Sequence, residues 1–296
     1  MDTSPHSRGK PIAIPVVGLP LPSLGPGSQG EDDGLSYMAM PQGMGTYRPP
    51  LLPEPEALHG RGGALRVLQA VLAATAGQGP AVVPLQGLNV EERTLVNQVL
   101  GEGEVSAQWL PAADDARAAQ VQESVFAGVW RVLVQDGQGG VADHIEVGAV
   151  PALLRQAAQH DGHHPPQVNH APPPDVLNAQ HVLAELAQHR AAWQPGQPSA
   201  VINLTLLPMS PADIAWMDHV LGTGRVLILS RGYGNCRITS TGVPHTWRVV
   251  FYNSQDHVIL NTVEVGDLPA VAQAAPEDLA DSHERLAEVL QWVADA

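Results

Sequence analysis

Two stretches of this chain align without a gap: NVEERTLVNQVLGEGEV at 89–105 and SPADIAWMDHVLGTGRV at 210–226, an offset of 121 (210 − 89). Val99-Leu100-Gly101 matches Val220-Leu221-Gly222, Gly103 matches Gly224, and Val105 matches Val226. Further on, VWRVLVQD (129–136) matches TWRVVFYN (246–253) at an offset of 117, and HIEVGAVP (144–151) matches TVEVGDLP (262–269) at 118. Three matches in one order with a near-constant offset mark an internal repeat, so the fold must be one that can be built twice.

Local chemistry agrees between the halves. Asn89 and Ser210 suit helix N-caps, each with an acid three residues on, Glu92 and Asp213, as a capping-box partner. Pro211 suits a first helical position, and Gly101 and Gly222 fall where a left-handed residue ends a helix. Leu95, Val96, Val99 and Leu100 give one apolar face; Trp216, Met217, Val220 and Leu221 give its counterpart. An earlier helix is marked by Leu65, Leu68 and Leu72, and in the second half by Val182, Leu183, Leu186 and Trp193. AVVPL (81–85) and AVINLTLL (200–207) read as short strands between the two helices. VSAQWL and VLILS, then SVFAGVWRVLV and TWRVVFY, then DHIEV and VILNTVEV read as three later strands, the last two of each half pairing as hairpins around QDGQGG and NSQDH.

The expected class is therefore α+β: two tandem homologous α-β-α-β-β-β units with antiparallel strands and an extended N-terminal arm. The expected boundaries are 1–56 for a Pro/Gly/Met-rich arm, 57–160 for the first unit, 161–175 for a His/Pro-rich linker and 176–296 for the second unit. PALLRQAAQ is read as a helix ending the first unit, and the amphipathic segment 276–293 as a helix closing the second.

Charge narrows the partners. The net charge is −15, which repels phosphate backbones and anionic membrane surfaces and attracts basic protein segments. No apolar run is long enough to span a bilayer. Residues 11–24, PIAIPVVGLPLPSL, resemble a signal core, but Pro11, Pro15, Pro20 and Pro22 break the helix such a core forms. The expectation is a cytoplasmic protein. One cysteine, Cys236, forms no internal disulfide and fits a reducing compartment.

Candidate chemistry is sparse. His160, His163, His164 and His170 lie close together, but their prolines impose no fixed geometry, and no metal or cofactor is assigned. Cys236 stands in SRGYGNCRITSTG with Arg231 and Arg237 near, yet at the start of a strand and not at a helix N-terminus that would activate it. There is no nucleophile elbow, phosphate loop or paired-cysteine motif, and no catalytic residue is assigned. Arg131 with Glu146 and Arg248 with Glu264 are read as equivalent cross-strand pairs, and Trp130 and Trp247 as core. The first half has acidic, alanine-rich sequence around Ala119 where the second has RGYGNC, so the scaffold does not need that motif.

MAMPQGM, LLPEPEAL, VLGEGEVSA, QESVFAGVWRV, DHIEVGAVP, INLTLLPMSPADIAWMDHVLG and SRGYGNCRIT…FYNSQDHVILNTVEVGDLP resemble the hydrogenase expression/formation family of HupH, HyaF and HoxQ type, over about residues 24 to 293. The resemblance implies an accessory protein of [NiFe]-hydrogenase maturation, with the C-terminal conserved region in tandem. The implied function is a chaperone that binds the immature iron–sulfur small subunit before twin-arginine export. Its implied partners are that small-subunit precursor and other hydrogenase accessory proteins. The partner-binding candidates are Met38, Met40 and Met44 in the arm, and Arg231, Tyr233, Asn235 and Cys236 in the loop. Two alternatives stand beside this: a protein that handles an iron–sulfur or redox cofactor through Cys236, and a scaffold bridging other maturation proteins.

Overall fold

The computed structural model describes residues 61–79, 81–162, 171–232 and 234–295. The first half runs α1 (Gly62–Thr75), β1 (Val82–Pro84), α2 (Val90–Leu100), β2 (Val105–Trp109), β3 (Ala118–Glu123), β4 (Val129–Gln135), β5 (Val141–Val147) and α3 (Ala152–Asp161). The second runs α4 (Ala179–Ala192), β6 (Ala200–Asn203), α5 (Pro211–Leu221), β7 (Val226–Ser230), β8 (Asn235–Ser240), β9 (Thr246–Tyr252), β10 (Val258–Val265) and α6 (Pro276–Asp295). The class is mixed, helices with antiparallel strands, as the sequence predicts. The first half carries one strand more than expected, β3, and β8 is the strand expected to start at Cys236.

The helix starts follow from their caps. The Asn89 side chain accepts from Glu92 N–H while the Glu92 carboxylate accepts from Asn89 N–H. Ser210 and Asp213 repeat the exchange, with Pro211 at the first helical position. Each box contributes about 1 kcal/mol. Gly101 and Gly222 end α2 and α5 with φ of 57° and 65°. Asp213 does more than cap. Its buried carboxylate also accepts N–H bonds from Leu177, Asn178 and Ala179, joining the starts of α4 and α5. Burial alone would raise its pKa, but the Ala179, Ser210 and Asn178 N–H groups and the Ser210 hydroxyl hold it down at about 2.

All ten strands form one antiparallel sheet in the order β1-β5-β4-β3-β2-β7-β8-β9-β10-β6. The order reads outward identically from its centre, where β2 pairs with β7. Equivalent hydrogen bonds recur across that centre: Leu110 N–H to Arg225 O at 2.8 Å, and Arg231 N–H to Glu104 O at 3.1 Å. The drift in repeat offset from 121 to 117 has a simple cause. Residues 110–117 join β2 to β3, whereas 231–234 join β7 to β8, a loop four residues shorter.

Strand alternation sorts the side chains onto two faces. One face carries Trp109, Val121, Trp130, Val132, Val226, Ile228, Ile238, Trp247 and Val249, covered by Leu154 and Ala157 of α3 and by Leu268 and Ala272. On the other face the described helices lie at its two ends. At one end α1 and α2 pack on Val83 and Ile145. At the other α4 and α5 pack on Ile202, Val263 and Val265.

Two expectations are corrected. The register puts Glu146 opposite Trp130 and Glu264 opposite Trp247, on the face away from Arg131 and Arg248, so neither Arg–Glu pair forms. Arg131 instead binds Asp143 at 2.9 Å, and Arg248 binds Asp218 at 3.1 Å. Helix α6 does not close the second half. Leu286 is fully buried in the core of α1 and α2, with Val289 and Leu290 packed beside it.

Candidate partner-binding groove

Between the two helical ends, no helix among the described residues lies on the centre of the second face, which forms a groove of about 480 Å³. Its floor is Ser106 and Gln108 of β2, Gln120 and Gln122 of β3, Leu133 of β4, and Leu227 and Leu229 of β7. Asn97 and Leu100 of α2 form one wall. The floor residues are half-buried, the alternate positions of strands whose other residues are buried beneath α3. The floor therefore presents glutamine side chains and the Ser106 hydroxyl beside aliphatic groups, with the Gln122 amide donating to the Gly103, Val105 and Glu123 carbonyls.

The wall is charge-matched. The Asp143 carboxylate takes both Arg131, at 3.1 and 2.9 Å, and Arg93, at 3.2 Å, while Arg131 also bonds Asn97. Paired in this way, the guanidinium holds α2 against the sheet. In the second half Arg237 lies over the Tyr252 ring, 5.8 Å from its centroid.

The two ends of the central strand pair differ. At one, Arg225 bonds Asp115 at 3.1 Å and Asp161 at 2.9 Å and stacks 4.8 Å from the Trp109 ring centroid, a compensated cluster. At the other stand the exposed Glu102 and Glu104 and the loop 231–234. The loop 101–104 is shaped by Gly103: a Cβ there would lie 2.1 Å from Ser124 O, and the Gly103 N–H donates to Glu123 O at 2.7 Å. Gly224 donates to Ser240 O at 2.8 Å in the same way, which accounts for the repeated Gly-x-Gly. Glu123 lies beneath this end. Burial pushes its carboxyl up to about 7 against the Gly128 N–H it accepts, and Glu104 adds to the rise.

The expected contact residues divide. Met38, Met40, Met44 and Tyr233 lie outside the described residues. Arg231 is half-buried and donates to Gly103 O at 3.1 Å, clamping its loop to the first half. Asn235 is half-buried at the start of β8, opposite Tyr252. Cys236 has no exposed surface and points to the face away from the groove, in the core under α3. Burial and the nearby Glu264 push its thiol up to about 12, the reverse of an activated cysteine. His160 is exposed, while His163, His164 and His170 lie outside the described residues. Among the described residues no three His, Cys, Asp or Glu side chains cluster as metal ligands, and no helix is long and apolar enough to cross a membrane.

Sequence reasoning missed the groove. Its one available signal is VLILS: β7 is apolar on both faces, as for a strand that meets apolar surface on both sides.

Comparison with known proteins adds family and length. The model of the HupH hydrogenase expression protein, C-terminal conserved region, matches residues 64–164 and 176–293. The hydrogenase expression/formation protein HoxQ of Cupriavidus necator is 52% identical over 279 residues, covering 93% of this chain and 97% of its own length. The hydrogenase expression/formation protein HupH of Rhodobacter capsulatus is 46% identical over 282 residues, 93% of this chain and 98% of its own. A solved structure, hydrogenase expression protein HupH from Thiobacillus denitrificans, is 29% identical, with a TM-score of 0.36, over 40% of this chain and 97% of that one.

Proposed function

The chain belongs to the HupH hydrogenase expression protein family, which gives it a role in hydrogenase maturation, and from that premise we propose that it is a chaperone for the immature iron–sulfur small subunit before twin-arginine export. The observation that carries this reading is the central groove. The Gln120 amide and the Ser106 hydroxyl on its floor suit the main chain of an unfinished protein, and Leu133, Leu227 and Leu229 suit its apolar side chains. Glu102 and Glu104 at its end, within a body of net charge −15, favour encounter with a basic segment. Arg231 and Asn235 stand at the same end, and Tyr233 with Met38, Met40 and Met44 supplies adaptable contact area.

An accessory, binding role also accords with the buried, strongly protonated Cys236. A redox or cluster-handling use of that thiol would require the core under α3 to open. Affinity capture during hydrogenase synthesis tests the proposal. The small-subunit precursor should co-purify, and cells lacking it should yield an altered set of accessory partners. An identical set from both would contradict it.

A further inference from the structure

The groove has a candidate ligand within the same chain. From residue 3 to residue 30 the sequence contains no acid, and its cations are Arg8 and Lys10, the latter the chain's single lysine. The uncharged run PIAIPVVGLPLPSL follows directly. The remainder of the protein is strongly acidic. Cations followed by an apolar run complement an acidic body with a partly apolar groove, and the segment lies outside the described residues.

We propose that residues 8–24 are an intramolecular ligand of the central groove and occupy it until a partner displaces them. Three features of the site fit the segment. First, Pro11, Pro15, Pro20 and Pro22 remove backbone donors, so the segment is poorly suited to extend the sheet at its β1 or β6 edges. Its carbonyls need donors presented side-on, and Gln120 carries an amide on the groove floor. Second, Leu133, Leu227, Leu229 and the Leu100 wall give apolar surface for Ile12, Ile14, Val16, Val17 and Leu19. Third, Arg8 and Lys10 match the exposed Glu102 and Glu104 where the groove ends. Reach is sufficient: residues 25–60 can span about 100 Å when extended, more than the width of a domain of this size.

The segment then limits access to the groove whatever the partner is, so its test needs no hydrogenase subunit. A synthetic peptide of residues 6–24 is titrated into the full chain and into the chain lacking residues 1–24. A tethered ligand competes at millimolar effective concentration, so the truncated protein should bind the peptide about tenfold more tightly. Leu229→Arg in the truncated protein should abolish that binding, and so should a peptide carrying Arg8→Glu and Lys10→Glu. Because Lys10 is unique, carbodiimide coupling in the dilute full chain should join it to Glu102 or Glu104 within one molecule. Equal affinity of the two proteins for the peptide would overturn the proposal. So would coupling of Lys10 to carboxylates elsewhere, or between two copies only.

Discussion

Single residues set the chemistry available at the groove's acidic end. Glu123 is 6% exposed, and its carboxyl titrates near 7 in the folded chain, against about 4.3 for an exposed glutamate. Because the folded pKa is raised, its contribution to stability is complete below about pH 4 and disappears as pH rises through 7. Glu123→Gln keeps an acceptor for Gly128 N–H and removes the titration. The variant should gain about 1–3 kcal/mol over wild type at pH 8 and little at pH 5, read from urea unfolding at both values. A stability difference independent of pH would show that the carboxyl does not titrate in this range. Cys236 shows why residue identity alone misleads. The chain's only thiol invites a chemical role, yet strand parity sends it to the buried face while Asn235 and Arg237 take the other.

At the scale of elements, the sequence is most informative where local chemistry decides. The capping boxes at Asn89 and Ser210 fix where α2 and α5 begin, and Asp136 and Asn253 shape equivalent hairpin turns by accepting N–H bonds from residues two and four further on. Strand β3 escapes notice because AAQVQE has a single β-branched residue, Val121, and no aromatic, unlike its neighbours; it is a strand through pairing with β2 and β4. The docking of α6 is likewise tertiary. Its amphipathic stripe states that one face is buried but not against what. Since Leu286 lies in the core of α1 and α2, Leu286→Ala should cost about 2–5 kcal/mol. Amide exchange should accelerate in α1 and α2 and hold steady in α4 and α5. Faster exchange in α4 and α5 instead would place α6 on the second half.

For the whole molecule, the repeat predicts two like halves but not their joining edge to edge through β2 and β7. That pairing produces the groove. Each half brings helices to the outer part of one face, and among the described residues no helix lies over the inner strands of that face. Apart from the two-sided apolar pattern of VLILS, nothing in either half encodes the gap, so it is not legible from motifs. The family resemblance, by contrast, is legible because long segments match, and it supplies the role in hydrogenase maturation independently of the groove. The central claim is that this groove receives the immature small subunit. It is tested most directly by quantifying the small-subunit precursor captured by three tagged proteins from cells making hydrogenase: wild type, Leu229→Arg in the groove, and Ile259→Arg on the exposed β10 surface away from it. The account predicts at least about tenfold less precursor with Leu229→Arg, the loss of roughly 1.4 kcal/mol or more of binding, with Ile259→Arg equal to wild type and all three proteins equally folded. Equal capture by wild type and a folded Leu229→Arg would contradict it.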